Sequence, residues 1–350
     1  MDYSDRDYNR LVVRSTNSEA GGCKQMDFHL VDLKKNTITM ECFPSLPNGI
    51  GIGNMLYLRR KILIIGGDFG SLDLLPNKTS ENHPDPDSIH LGASLYSIVH
   101  NHWKAMRLPT NLAMSNPAIV LGRLYCFGSP YLLPEVCAYG GIWKKLELPT
   151  ELRGRYASAP VVTDYDKSRV LVQVCDLNEL YAFCPPPNKD NDNFSPVSSS
   201  SGTWSRIATN ISIWCDVVAV ADDIIYFHEW DFKNLLLAYD LRSNKWVDVV
   251  ADLSRVVITV REFDKLFTLP NGFMCLAAWV PLRPLVNKDP PSVQFLRFRV
   301  QRSPDSDPLI IKLTAIDYQS YSIPSAETVC DFIMLEEDDY VYKSKSNGVV

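Results

Sequence analysis

The chain has 350 residues, of which 46% are hydrophobic and 22% are charged, and its formal net charge is −6 at pH 7. This composition is typical of a folded globular protein and excludes a largely disordered one. A chain of this length buries most of its apolar surface, so its fold needs neither disulfides nor a structural metal. The acidic balance and the lack of a lysine- and arginine-rich run argue against a nucleic-acid partner, because phosphate binding requires clustered cations.

The amino-terminal residues and the cysteines indicate the compartment. The first residues, MDYSDRDYNR, are polar and predict no secretory signal. No apolar stretch reaches the roughly 18 residues of a membrane-spanning helix. The nine cysteines are scattered without a CxxC pair, which is typical of buried small hydrophobes in a reducing compartment. We therefore expect a cytoplasmic or nuclear protein.

Short strands separated by turn residues are predicted along the whole chain. In chain order, the clearest runs are RLVVRS from Arg10, DFHLVDL, TITMEC, KILIIGG from Lys61, SNPAIVLG, RLYCFGS, RVLVQV from Arg169, DIIYFHE, GFMCLAAW, VQFLRFRV, PLIIKLTAI and ETVCDFIML from Glu327. No amphipathic helix is predicted, and 23 prolines interrupt nearly every segment. The sequence predicts an all-β chain.

The main regularity is a repeated pair of strands. Trp103 begins WKAMRLPTNL and Trp143 begins WKKLELPTEL, which share six of ten residues. The segments LVDLKKNTI, LYSIVHNHW and AYDLRSNKW match one another in the same way. Asn36, Asn101 and Asn244 in these segments are expected where the chain reverses, because asparagine tolerates the left-handed conformation of tight turns. Such a repeat predicts stacked units that bury their apolar faces only together.

The repeat resembles the kelch repeat. Gly66 and Gly67 follow the second strand, Tyr96 lies in the third and Trp103 opens the fourth, which is similar to the kelch portion of plant F-box/kelch proteins. The corresponding positions of the other units are Tyr139, Trp143, Tyr181, Trp204, Tyr239 and Trp246. The resemblance implies a six-bladed kelch-type β-propeller in which these residues are structural. The tryptophans are then expected to be largely buried between adjacent blades.

Six units fit the chain if residues 10–335 form a single propeller domain. Residues 1–9 and 336–350 are then tails, and the segments 71–91, 185–202 and 281–292 are inserted surface loops. The first unit has only three clear strands before Phe43. We therefore expect Glu327–Leu335 to pair in the same sheet as Leu11–Ser15, since an open sheet would expose strand edges. Any partner is expected to bind the inserts 71–91 and 185–202.

No catalytic motif accompanies this scaffold. His100 and His102 form an H-x-H pair, but they lie at a predicted turn where polar residues are common, so they predict no metal site. SSSSGTW resembles the Asp-box hairpin of sialidases, but Ser200 stands in place of the aspartate. A glycine-rich phosphate loop, GxSxG and HExxH are absent. We expect no catalytic, cofactor-binding or metal-binding residue and no cofactor.

The expected function follows from the resemblance and from this lack of motifs. The kelch likeness implies a protein–protein interaction module, a substrate-recognition or adaptor protein related to the F-box/kelch proteins of ubiquitin ligases. Because only residues 1–9 precede the first predicted strand, we expect no F-box in this chain. We expect a monomer that is not an enzyme and that binds proteins, but neither nucleic acid nor a membrane. The alternative is a propeller enzyme, a hydrolase or lyase that acts on a small molecule in the axial funnel.

Overall fold

The structure is a computed structural model. It describes residues 10–18, 24–33, 37–41, 54–58, 61–65, 93–97, 102–106, 116–127, 134–137, 143–155, 157–164, 166–186, 202–211, 217–228, 235–254, 264–269, 272–281, 291–303, 309–323, 326 and 328–335. Both predicted tails, the insert 71–91 and most of the other two inserts lie outside these residues. None of the described residues belongs to a helix that is long and apolar enough to cross a membrane.

The described residues form 24 strands, two short 3-10 turns and no α-helix. The turns are Thr150–Leu152 and Cys175–Leu177. The strands are β1 (Arg10–Ser18), β2 (Lys24–Asp32), β3 (Thr37–Glu41), β4 (Asn54–Leu58), β5 (Lys61–Ile65), β6 (Ala93–Ser97), β7 (His102–Met106), β8 (Asn116–Val120), β9 (Arg123–Phe127), β10 (Pro134–Cys137), β11 (Trp143–Lys145), β12 (Ala157–Asp164), β13 (Arg169–Val174), β14 (Glu179–Cys184), β15 (Thr203–Thr209), β16 (Val218–Ala221), β17 (Ile224–Phe227), β18 (Leu237–Asp240), β19 (Lys245–Asp252), β20 (Lys265–Leu269), β21 (Phe273–Val280), β22 (Ser292–Arg302), β23 (Ile310–Ser322) and β24 (Thr328–Leu335). The prediction of an all-β chain is confirmed.

The strands are arranged in five sheets. Sheet I has the order β24-β1-β2-β3, and sheets II, III and IV consist of β4–β7, β8–β11 and β12–β15. Sheet V has eight strands in the order β16-β17-β18-β19-β23-β22-β21-β20, so it contains two antiparallel halves, β16–β19 and β20–β23. The halves are joined by β19 and β23, which pair in parallel from Asp248↔Ile310 to Asp252↔Thr314. The sequence contained no sign of this parallel junction.

The two ends of the described chain meet in sheet I. Strand β24 pairs antiparallel with β1, with Arg10 opposite Leu335 and Thr16 opposite Thr328. The predicted pairing of Glu327–Leu335 with Leu11–Ser15 is therefore confirmed. A β-bulge interrupts this pairing between Arg14 and Ser15.

The second strand of each four-stranded set is buried on both faces, which explains its nearly continuous apolar sequence. In β5, Ile62 and Ile64 pack between sheets I and II, whereas Leu63 and Ile65 pack between sheets II and III. The same alternation recurs in β9, β13, β17 and β21. Each such strand therefore requires a neighbouring sheet on either side.

The cores between sheets follow one another in a ring. Hydrophobic clusters lie between sheets I and II, II and III, III and IV, IV and the first half of V, the two halves of V, and the second half of V and sheet I. The first strands of the four-stranded sets contact one another in the same cyclic order: β24, β4, β8, β12, β16, β20 and again β24. We call these six the inner strands. This arrangement is propeller-like.

Hairpin turns between strands use left-handed residues. Asn244 has a φ of 54° at the β18–β19 turn, as predicted from its sequence pattern, whereas Asn36 and Asn101 lie outside the described residues. Asp222 and Asp223, at the β16–β17 turn, have φ values of 51° and 62°. Asp and Asn are the side chains that best tolerate this conformation after glycine.

Asp223 connects sheet IV to sheet V by ion pairs. Its carboxylate, only 3% exposed, accepts hydrogen bonds from Arg242 Nε at 2.6 Å and Arg169 Nη2 at 3.3 Å, and it pairs with Lys167. Arg169 also binds Asp164 at 2.7 Å. Burial alone would raise the pKa of Asp223, but the hydrogen bonds from Lys167 and Arg242 lower it below the usual value of an aspartate.

Removing strand β24 should unfold the whole domain, because β24 supplies one edge of sheet I and one of the inner strands. A chain truncated before Ser325 is expected to lose its cooperative thermal transition, measured by circular dichroism and calorimetry. Truncation after Leu335 is the control and should leave the transition unchanged. A cooperative transition in the shorter chain would contradict the role of β24 in closure.

The variant Asp223→Asn keeps the backbone preference for the left-handed turn but removes the charge. We expect a loss of about 1–3 kcal/mol in unfolding free energy at pH 7, measured by urea denaturation. Because the pKa of Asp223 is lower in the folded state, its contribution exists above the unfolded pKa of ~3.9 and is lost as the pH falls through the folded value. The difference from wild type should therefore shrink below about pH 4.

The control for Asp223→Asn is Asp176→Asn. Asp176 pairs with Arg155 at 3.3 Å, and both side chains are at least one-third exposed. Such surface pairs contribute about 0–1 kcal/mol. Equal effects of the two substitutions would show that Asp223 is not a special link between sheets.

Candidate functional site

Five residues occupy equivalent places in the fourth strands, and we call them the anchors: Ile38, which ends the segment LVDLKKNTI, and Trp103, Trp143, Trp204 and Trp246. Each anchor lies at or next to the start of a fourth strand, directly opposite a third-strand residue. The pairs are Val31↔Ile38, Tyr96↔Trp103, Cys137↔Trp143, Phe183↔Trp204 and Tyr239↔Trp246. Tyr181 lies opposite Arg206 instead, with its hydroxyl hydrogen-bonded to Glu179. Gly66, Gly67 and Tyr139 lie outside the described residues.

The tryptophans differ in burial. Trp204 is partly buried between sheets III and IV, where it contacts Phe127 and Phe183 and donates from Nε1 to Glu147 O at 3.2 Å. Trp143 is also partly buried. Trp246, however, is 52% exposed, although it contacts Phe227 and Tyr239. The expectation that it is largely buried is wrong, because the neighbouring sheet does not cover this part of β19.

This difference predicts unequal effects of removing the rings. Trp204→Ala should lower the unfolding free energy by about 3 kcal/mol, since it leaves a cavity between two sheets. Trp246→Ala should cost about 1 kcal/mol, because half of that side chain is already in water. Thermal melts of the two variants would measure the difference. Equal losses would contradict the burial difference.

Charged residues are rare in the inner strands, and two of them form an ion pair. The inner strands contain only three charged residues: Asp164, Lys265 and Asp331. Asp164 ends β12 and binds Arg169 in the network of Asp223. Lys265 and Asp331 lie on the neighbouring inner strands β20 and β24, and their Nζ and Oδ1 atoms are 3.0 Å apart. We call Lys265, Asp331 and the backbone N–H of Met55 the inner-strand site.

Asp331 joins three inner strands. Its Oδ2 accepts a hydrogen bond from the backbone N–H of Met55 on β4, at 2.5 Å. Its Oδ1 accepts from Lys265 and from the backbone N–H of Phe332, at 3.0 and 2.8 Å. Asp331 lies opposite Arg14, immediately beside the β-bulge of the β1–β24 pair. Bulges reorient side chains at such places. With its side chain 9% exposed and three donors bound, this carboxylate is held in one position.

Lys265 is fixed at its backbone, and its side chain is partly exposed. The preceding residue, Asp264, donates its backbone N–H to Ala277 O at 2.8 Å and accepts from the backbone N–H of Trp279 at 2.6 Å. These bonds fix the start of β20. The Lys265 side chain is 35% exposed. Its ammonium carries three N–H donors, so it can donate to a bound molecule as well as to Asp331.

This geometry supplies an oriented positive charge at the inner strands. An ammonium held by a buried carboxylate can bind a carboxylate or phosphate, or stabilise negative charge that develops on a carbonyl oxygen. Asp331, whose oxygens are already occupied, orients the lysine. No group of three or more His, Cys, Asp or Glu residues suited to a metal ion occurs in the part of the chain that the structure describes. Of the histidines considered above, His102 is exposed at the start of β7, and His100 is outside the described residues.

Neither Lys265 nor Asp331 was recognised from the sequence. The one feature of the sequence that could have indicated the site is the single carboxylate inside ETVCDFIML, a run that otherwise predicts a buried strand. A charge in such a strand needs a partner. Its partner is distant in the chain and adjacent only once the inner strands form their ring. The spacing of residues along the sequence does not predict an ion pair between such distant strands.

No protein-family model and no curated protein sequence matches the chain. Several solved structures resemble the chain in their backbone fold. A proposed 6-phosphogluconolactonase from Bacteroides uniformis shares 10% identity with a TM-score of 0.46, over 90% of this chain and 84% of that one. Virginiamycin B lyase from Staphylococcus aureus shares 11% identity with a TM-score of 0.40, over 92% and 87%. A luciferin-regenerating enzyme shares 8% identity with a TM-score of 0.43, over 93% and 97%.

These findings correct two expectations. The assignment to the kelch repeat and to F-box/kelch adaptor proteins is wrong, since no family model of either kind matches and the structures that resemble the chain are named for other activities. The expectation of a protein that is not an enzyme is wrong as well, since those structures are named as a lactonase, a lyase and a luciferin-regenerating enzyme. At identities of 8–11%, no activity of theirs is assigned to this chain.

Proposed function

We propose that this chain is a six-bladed β-propeller enzyme, a hydrolase or lyase, that acts on a small molecule at the inner-strand site. The six blades are sheets I–IV and the two halves of sheet V. The blade number is supported by the cyclic order of the six hydrophobic clusters and of the six inner strands. In a propeller, the inner strands surround the axis, and ligands bind at the end of the axial funnel.

The observation that carries the proposal is the ion pair of Lys265 and Asp331 between two inner strands. Elsewhere these strands are almost entirely apolar or neutral, so a charged pair held at 3.0 Å with a third strand attached is not needed for packing alone. Ion pairs that are partly or fully removed from water contribute little net stability, because the loss of hydration opposes their attraction. The pair is better explained by a bound molecule that accepts a hydrogen bond from the Lys265 ammonium.

Each residue has a separate role in this proposal. Lys265 donates to the acidic group or the carbonyl oxygen of the substrate and stabilises the negative charge that forms in the transition state. Asp331 holds the ammonium in place through Oδ1, while its Oδ2 is held by the Met55 N–H. Asp331 is thus a positioning residue, and Lys265 is the catalytic residue.

The proposal is tested with purified protein and small esters and lactones. Hydrolysis of p-nitrophenyl acetate, dihydrocoumarin and gluconolactone is measured in wild type, Lys265→Met and Asp331→Asn. Loss of a group that stabilises an oxyanion typically costs about 100-fold in kcat. We therefore expect Lys265→Met to lose about 100-fold in kcat on any substrate that wild type accepts, and Asp331→Asn to lose less.

Lys145→Met is the matched control, because Lys145 is an exposed lysine at the end of β11, the fourth strand of its sheet. It should retain full activity. Thermal melts of all variants separate loss of the site from loss of the fold. Full activity in a folded Lys265→Met variant would place the reaction elsewhere.

A further inference from the structure

The middle of sheet V, where β19 and β23 pair in parallel, carries an unusual set of exposed apolar side chains. Among the large hydrophobic residues that the structure describes, four are exposed: Leu121, Trp246, Val250 and Ile316. Three of these four lie on β19 and β23, the two strands at the parallel junction. Trp246, Val250 and Ile316 are 52%, 55% and 44% exposed. We call Trp246, Asp248, Val250, Lys312 and Ile316 the rim surface.

The alternation of β19 explains why these residues face water. Val247 and Val249 pack against the core between the halves of sheet V. The residues between them, Trp246, Asp248 and Val250, belong to the opposite face of the strand and are exposed. An outward face that needs only to be hydrated is normally polar, whereas here two of three successive outward residues are large and apolar. Exposed apolar surface of this kind marks interaction sites more often than chance.

The parallel junction determines how a partner can bind. Because β19 and β23 pair with each other from Asp248↔Ile310 to Asp252↔Thr314, their backbone groups are used over this stretch. A partner therefore cannot add a strand here and must contact side chains. Trp246 is suited to anchor such a contact, since its ring rests against Phe227 and Tyr239 at centroid distances of 5.5 and 5.3 Å. Tryptophans in this situation often dominate binding energy.

The charges of the rim surface are opposite in sign on its two strands. Asp248 lies between the two apolar residues of β19, and Lys312, on β23, lies opposite Val250. Both are exposed. A surface with an aspartate on one strand and a lysine on the next is complementary to itself after a two-fold rotation. In a symmetric dimer, each contact of this type occurs twice.

We propose that the rim surface binds a second copy of this chain, in a symmetric dimer in which Asp248 of each copy contacts Lys312 of the other. Trp246 and Val250 of both copies form the apolar centre of the interface, and the charged residues fix its orientation. The proposal does not depend on the inner-strand site. It concerns the junction of β19 and β23 in the middle of sheet V, whereas the inner strands β16 and β20 form the two edges of that sheet.

The test begins with the mass of the full chain in solution, measured by sedimentation and by light scattering up to about 100 µM. Wild type is expected to be a dimer. Val250→Asp is expected to weaken dimerisation at least tenfold, because it places a charge at the apolar centre. Leu121→Asp is the matched control, since Leu121 is the one exposed large hydrophobic residue described outside the rim surface. It should leave the dimer unchanged.

Charge exchange separates a direct contact from a folding defect. Asp248→Lys and Lys312→Asp each place like charges together twice in a symmetric dimer, so each variant alone should weaken dimerisation at least tenfold. Mixed in equal amounts, the two variants restore both contacts in a heterodimer and should recover the wild-type dissociation constant. An effect within one chain would not be rescued by mixing.

Two results would overturn the proposal. One is a wild-type chain that remains monomeric across the concentration range. The other is a dimer that survives Val250→Asp and both single charge variants, or that is not recovered when the two folded charge variants are mixed. Thermal melts of each variant confirm that the comparison is made between folded proteins.

Discussion

The whole structure depends on strands that are apolar on both faces. In β5, β9, β13, β17 and β21, successive side chains enter two different cores, so a sheet with only one neighbour would leave half of such a strand in water. The requirement is the same for every set of four strands. An open stack of sheets does not meet this requirement, because its two end sheets would each expose an apolar face. A closed ring of sheets does meet it. The cyclic order of cores, the contact of the inner strands and the pairing of β24 with β1 all follow from this single condition.

Much of the fold was predictable for the same reason. A run such as KILII or RVLVQV is too apolar for a strand with one hydrated face, and turn residues separate these runs. The pairing of β24 with β1 was also predictable, since the first unit lacked a strand and the last part of the chain supplied one. The parallel pairing of β19 with β23 was not. It depends on how the outer ends of two neighbouring sets converge in space, and no residue type in either strand specifies it.

Much less of the candidate site than of the fold could be predicted from the sequence. Trp246 ends a segment that matches the repeat, yet its exposure depends on the position of the neighbouring sheet and not on its own segment. Lys265 and Asp331 belong to no motif, and they come together because β20 and β24 are neighbours in the ring. Short-range patterns report backbone conformation and burial, whereas a site between inner strands combines positions far apart in the chain. The kelch resemblance showed the same limit: glycines, tyrosines and tryptophans at repeat positions indicated strands and turns, but not a family.

The closing pair of β1 and β24 has a consequence for the order of folding. Strand β1 leaves the ribosome early and β24 among the last parts of the described chain, so one edge of sheet I stays unpaired for most of synthesis. Contacts between such distant segments are slow to form, because the chain entropy of joining them is lost before any of the contacts is gained. The nascent protein therefore holds an incomplete ring with an open strand edge and uncovered apolar faces, the state in which chains of this kind aggregate or recruit chaperones.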